Sequence, residues 1–124
     1  MRGYIAGPYT NGVPDISIRN AIEVAEVLVA KGHVPFIPHL SFLWAMAYPH
    51  NRRFWLWWTK KWLETCQFIV RIKGKSEGAD DEVQRAHELH LPVFDFYPEQ
   101  MEASKLQLEA WLDNLENGMK EVAK

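Results

Sequence analysis

The sequence predicts a three-layer, doubly wound α/β fold, Rossmann-like or flavodoxin-like in layout. Its sheet has about four parallel strands in the order 2-1-3-4, followed by a long C-terminal helix. Three observations predict it. Short apolar runs alternate with helical patterns along the chain. The first strand, helix and strand follow one another with tight joints, which makes a βαβ unit and a parallel pair. From Pro98 onward a single amphipathic pattern runs to the end.

The elements follow in order. RGYIAG, 2–7, is an apolar run closed by Gly-Pro and reads as the first strand. Residues 15–31 carry Ile18, Ala21, Ile22, Ala25, Leu28 and Val29 at helical spacing, with Asp15 or Ser17 as N-cap and Gly32 as the stop. HVPFIP, 33–38, is the second strand. Residues 40–48 and 51–65 read as two Trp-rich helices, and QFIVRI, 67–72, as the third strand. A helix over about 77–90 and a fourth strand, PVFDF, 92–96, come next. The closing helix places Met101, Leu106, Leu108, Trp111, Leu112, Leu115 and Met119 on its apolar stripe.

At 124 residues the chain has the length of one domain, expected over 1–124. With 48% apolar and 24% charged residues a soluble globular protein is expected. A net charge of −2 and the lack of a basic stripe argue against nucleic-acid binding. The single cysteine, Cys66, has no partner for a disulfide or a thiolate metal site, which fits a reducing cytoplasm. The opening MRGYIAGPYT has no apolar h-region, and no apolar run is long enough for a membrane span, so neither signal peptide nor membrane is expected.

In a doubly wound fold, ligands bind beyond the carboxyl ends of the strands, at the switch point between strands 1 and 3. That puts GPYTNG and KGKSEGADDE at the site. Three acids stand together there. A helix turns about 100° per residue, so Ala79, Val83, Ala86 and Leu89 form the apolar stripe and Glu82 falls within or beside it. Asp81 projects to the opposite face and Asp80 to the flank. Favourable placement near a helix N-terminus accounts for Asp81 and Asp80. It accounts less well for Glu82, because a carboxylate turned toward a sheet is desolvated unless it has partners.

Other residues keep two readings each. Gly74, Ser76 and Gly78, flanked by Lys73 and Lys75, form either an anion-ready helix start or a plain strand-to-helix turn. Tyr4 either orients a carboxylate or is core with its hydroxyl at the edge. His39 in PHL either contacts a base or sugar or makes a structural hydrogen bond. His87 and His90 lie at i, i+3 without a further metal ligand and read as a solvated helix end. Five of the six tryptophans lie between Trp44 and Trp62. Trp44, Trp55, Trp58 and Trp62 share helical steps, and Trp57 faces elsewhere. They are either a homo-oligomer interface or a wall on which a base stacks.

The motifs carry a resemblance. YIAGPY, followed by S-x-G-A-x-x-E at Ser76, Gly78, Ala79 and Glu82 and then Ala86, resembles the nucleoside 2-deoxyribosyltransferase superfamily. That group includes nucleoside 5′-monophosphate N-glycosidases. A branch with YIAGP, PHL, a Trp-containing helix before a Cys, and GxSxGAxxE is matched over about residues 3–96. The resemblance implies that Glu82 is the nucleophile at the anomeric carbon and that Tyr4 positions it. It implies that Ser76 and Gly78 hold a 5′-phosphate. From their place at the ends of the strands, Gly7, Pro8, Tyr9, His39, Asp80 and Arg71 are further substrate-binding candidates. No metal and no cofactor are expected, and the partners are a small nucleoside or nucleotide and a homodimer or homotetramer. The helix N-terminus is expected to help keep Glu82 ionised. One departure stands out: the superfamily's aspartate near the end of strand 3 is absent from Val70-Arg71-Ile72-Lys73, where Asp80 is a possible substitute. Two cations there suit a phosphorylated substrate. The alternatives are a non-catalytic nucleotide-binding module and an interaction protein using its Trp-rich helices.

Overall fold

The structure, a computed structural model, describes residues 1–8 and 14–123, with side chains described for 1–8 and 16–118. Tyr9, Thr10 and the rest of the first loop, and the side chains of Asp15 and Met119, lie outside these. β1 (Arg2–Ala6) leads through α1 (Pro14–Ala30) to β2 (Val34–Phe36). After a 3-10 turn, Pro38–Ser41, come α2 (Phe42–Ala47), α3 (Arg52–Leu63) and β3 (Phe68–Ile72). Then follow α4 (Glu77–Glu88), β4 (Val93–Phe96), a second 3-10 turn, Pro98–Gln100, and α5 (Met101–Ala123).

The sheet order is β2-β1-β3-β4 and every pairing is parallel. β1 and β3 sit in the middle, with Tyr4 opposite Ile69 and Ala6 opposite Arg71. Strands covered on both faces read as near-continuous apolar runs; β3 does so except at Arg71, and the edge strand β4 carries Asp95. Alternation splits them between two cores. Ile5, Phe68, Val70, Ile72 and Phe96 pack with Ala21, Val24, Leu28, Leu108 and Leu112 on the α1–α5 side. Tyr4, Ala6 and Ile69 pack with Leu63, Cys66, Ala79 and Ala86 on the side of α3 and α4.

The phase of α1 differs from its sequence reading. Its buried stripe is Ala21, Val24, Ala25 and Leu28, with Val27 beside it, while Ile22 is 41% and Val29 56% exposed. Both exposed residues sit one position beyond a buried one, about 100° off the contact line. The helix begins at Pro14, so Asp15 and Ser17 lie inside it rather than capping it; a proline there loses no intrahelical bond. Its end is as expected. Gly32 has φ +82°, its N–H donates to Val29 O at 2.9 Å, and His33 N–H donates to Leu28 O at 2.9 Å, a Schellman closure.

α5 also starts later than Pro98. Ser104 Oγ donates to Tyr97 O at 3.0 Å and accepts from Tyr97 N–H at 3.2 Å, tying the turn to the first helical turn. Leu108 and Leu112 are fully buried, whereas Leu106 is exposed. Lys105–Glu23 (2.6 Å) and Lys31–Asp113 (3.1 Å) join α5 to α1 and the chain just after it. Among the described residues no helix is long and apolar enough to cross a membrane.

Candidate active site

Two loops leave the carboxyl ends of the central strands and touch. After β1, a Cβ added to Gly7 would lie 2.9 Å from Ile72 Cβ, so only glycine lets this loop lie on β3. After β3, Gly74 has φ +145°, a region that favours glycine, and a Cβ there would lie 2.6 Å from Pro8 Cγ. His39 is buried, and its ring contacts the backbone of Gly7 and Pro8. Burial pushes its imidazole below the usual range, with those backbone contacts opposing. A neutral His39 therefore braces the first loop.

Ser76 is the N-cap of α4. Its backbone is extended and its Oγ accepts from Ala79 N–H at 3.1 Å. The first-turn N–H groups of Glu77 and Gly78 have no intrahelical acceptor. Both residues line a cavity of about 650 Å³, a size suited to a nucleotide-sized ligand. Its opposite wall is α3, through Trp55, Leu56 and Thr59, and Arg52 and Lys75 also line it.

Glu82 also lines this cavity. The residue is half-buried, and its Oε2 is fully enclosed without a hydrogen bond of ordinary geometry. Burial pushes the carboxyl up to about 8, with the Tyr4 hydroxyl and then Arg71 pulling the other way. This corrects the expectation that the helix N-terminus keeps Glu82 ionised. Glu82 is in the second turn of α4, where the dipole has faded, and desolvation wins.

Tyr4 is fully buried, close enough to Glu82 and Thr59 for each to influence its ionisation. Burial, then the Glu82 charge, pushes the phenol far up, so it stays a neutral donor. Its hydroxyl makes no hydrogen bond of ordinary geometry in this structure. Thr59 Oγ1 donates to Trp55 O at 2.9 Å, so its proton is held by the α3 backbone, and the Tyr4 proton is left for Glu82. Tyr4→Phe is expected to leave the melting temperature unchanged or slightly raised, because it removes a poorly satisfied buried hydroxyl. It is expected to slow any reaction at Glu82 by about 10- to 100-fold. Thermal melts beside a turnover assay check this, and a large drop in melting temperature would contradict it.

The structure thus gathers Gly7, His39, Ser76, Gly78 and Glu82 on one wall system, with Tyr4 close to Glu82. Pro8 lines a neighbouring cleft of about 40 Å³. Tyr9 lies outside the described residues. Arg71 and Asp80 do not line the cavity; they bond to each other at 3.1 Å. Asp81 is exposed, as its phase predicts. Among the described residues no group of three His, Cys, Asp or Glu side chains gathers as a metal site.

A profile of DUF7768, a domain of unknown function, matches residues 2–96. This chain belongs to the DUF7768 family. The match spans β1 to β4, the elements that carry every site residue described above, and ends before α5. No curated protein matches the chain. Among solved structures, this DUF7768 domain is similar to a 2-deoxyribosyltransferase from the psychrotolerant bacterium Bacillus psychrosaccharolyticus. The TM-score is 0.62 at 20% identity, covering 79% of this chain and 73% of that one. At such identity the likeness is one of fold.

Sequence reasoning missed Thr59, Leu56 and Arg52 as cavity residues. One signal was present: Thr59 is the lone small polar residue in an aromatic stripe, four positions after Trp55. Of the clustered tryptophans only Trp55 reaches the cavity wall. Trp44 meets Trp55 and Trp58 edge-on at 5.1 and 5.4 Å, and Trp62 stacks on Phe36 of the edge strand at 5.2 Å. Trp57 and Trp62 remain 56% and 44% exposed.

Proposed function

We propose that this chain cleaves the N-glycosidic bond of a nucleoside 5′-monophosphate, by hydrolysis or by deoxyribosyl transfer, through a glycosyl-enzyme on Glu82. The observation that carries the reading is the Glu82 carboxyl on the cavity wall, with one oxygen enclosed and a neutral Tyr4 donor beside it. Carboxylates isolated in this way inside a cleft are functional-site candidates. In its ionised form Glu82 attacks C1′. The C1′–N bond breaks, and the base leaves with the bonding electrons and takes a proton from solvent. The oxocarbenium-like transition state is stabilised by the adjacent carboxylate. Water then attacks C1′, the ester C–O bond breaks, and the sugar phosphate departs as the water loses its proton. A second base in place of water gives transfer.

Binding follows from the remaining walls. The α4 N-terminus with Ser76, Gly78 and Lys75 suits a phosphoryl group. Trp55 and Leu56 suit the flat, apolar faces of a base. The reading includes self-association through the exposed aromatic face of α2 and α3.

A base-release assay across pH tests it. Glu82 must be ionised to attack, so kcat/KM is expected to rise with pH along a limb centred near 8. A limb near the ordinary glutamate range, or no base release from any nucleotide or nucleoside, contradicts it. The same raised carboxyl favours a second reading, a non-catalytic nucleotide-binding module in which neutral Glu82 donates a hydrogen bond to the ligand. Under that reading monophosphates raise the melting temperature without losing their base.

A further inference from the structure

Arg71 is a buried cation, 4% exposed, on the α3–α4 face of β3 beside Ala6. A buried guanidinium is costly unless its donors are matched. Here they are matched by backbone and helix. Nη1 donates to Ile72 O; Nη2 donates to Gly74 O at 2.8 Å and to Asp80 Oδ1 at 3.1 Å. Gly74 and Asp80 bracket the five consecutive residues Lys75, Ser76, Glu77, Gly78 and Ala79, all of which line the cavity. One side chain therefore clamps both ends of the segment that lines the cavity and carries the first-turn N–H groups of Glu77 and Gly78, which have no intrahelical acceptor. Gly74 is held from the other side by Pro8, and Asp80 N–H donates to Ser76 O at 3.1 Å. The segment is a strap fixed at each end to the floor of the sheet.

We propose that Arg71, through Gly74 and Asp80, is a positioning residue that pre-shapes this strap for a phosphoryl group and so sets preference for phosphorylated over bare nucleosides. It rests on the reading of the cavity as a nucleotide site. Neither Arg71 nor Asp80 lines the cavity; their effect on a phosphoryl group passes through the strap, the Arg71 charge acting besides on Glu82, which makes the Asp80 variants the cleaner probe. A strap already held in shape binds without an ordering cost, so the loss of either anchor weakens the phosphate-dependent part of binding first.

The test uses Asp80→Ala, Asp80→Asn, Arg71→Lys and Arg71→Met in the full chain. Asp80 has a 73% exposed side chain, and without it Arg71 keeps its two backbone acceptors, so the Asp80 variants are expected to fold even where Arg71→Met does not. Asp80→Ala and Arg71→Met are expected to raise KM for the monophosphate about tenfold or more, with a smaller fall in kcat. Their kcat/KM ratio of monophosphate to nucleoside should fall by a similar factor. Asp80→Asn keeps an acceptor oxygen and is expected to rescue most of the loss. Arg71→Lys keeps the charge but not the fork, and is expected to behave like Arg71→Met. Calorimetry with 2-deoxyribose 5-phosphate reads the same tenfold weakening without turnover. An Asp80→Ala variant within twofold of the parent in both measurements overturns the proposal, as does a parent that binds and cleaves nucleosides with no preference for phosphate. A parent that binds the sugar phosphate, responds to Asp80→Ala, yet releases no base keeps the strap and sinks the N-glycosidase reading instead.

Discussion

Replacing Glu82 by Gln is expected to lower base release by roughly a thousandfold or more, with nucleotide affinity changed only a few-fold. A Gln amide keeps the shape but offers no anion to C1′. The same substitution is expected to stabilise the fold, and the sign follows from linkage. The folded carboxyl titrates near 8 and the unfolded one near the ordinary value of 4.5. Below the unfolded value both states hold the proton and the substitution matters little. Between the two values only the unfolded state ionises, so the parent loses stability as pH rises. The advantage of Gln therefore grows through this window and levels off above 8. Discounting for the half-buried position of Glu82, it reaches about 2 kcal/mol, or roughly 5–10 °C in melting temperature, at about pH 8.5. A variant that is less active and also less stable at high pH would indicate a packing role instead.

Phe68→Ala is the largest stability loss expected from a single core change. Phe68 is fully buried on β3. Its ring contacts Trp111 of α5 at 5.8 Å and His33 at 5.5 Å, both edge-on. It lies over Gly3, where any Cβ would collide with it, so one ring binds α5 and the end of α1 to both central strands. Truncation of such a phenylalanine costs about 3–5 kcal/mol. For a chain of this size that is roughly a 10–20 °C fall. Because β1 and β3 deliver both loops of the site, ligand binding should be lost together with the fold on heating. Urea titration with an unchanged m-value and a midpoint lowered in proportion checks it. A midpoint within the error of the parent would contradict the packing described for this side of the sheet.

The strand order and the long last helix were legible because parallel strands and their crossover helices leave strong, local patterns. The phase of α1 was only half legible: Ile22 and Val29 are as apolar as Val24, and only the position of the sheet decides which is covered. The inward placement of Glu82 was legible by helical phase alone. Its protonation was not, since that depends first on burial in the folded chain and then on Tyr4 and Arg71 brought in from two strands. Thr59 and Leu56 reach the cavity from a different helix; Leu56 carries no local mark, and Thr59 only that of a small polar residue in an aromatic stripe. The exposed Asp80 looked like a first-turn acid, because its partner Arg71 is nine positions earlier and inside the sheet.

The most direct test of the central claim is to quench the protein during turnover of a nucleoside 5′-monophosphate, cut it with trypsin and weigh the peptides. Cleavage after Lys75 and Arg85 releases the segment 76–85, which contains Glu82. This peptide is expected to gain the mass of the sugar phosphate less one water, with fragmentation placing the added mass on Glu82, and Glu82→Gln is expected to gain none. Base release without any adduct on this peptide, or an adduct on Glu77, Asp80 or Asp81 that survives in Glu82→Gln, would contradict it.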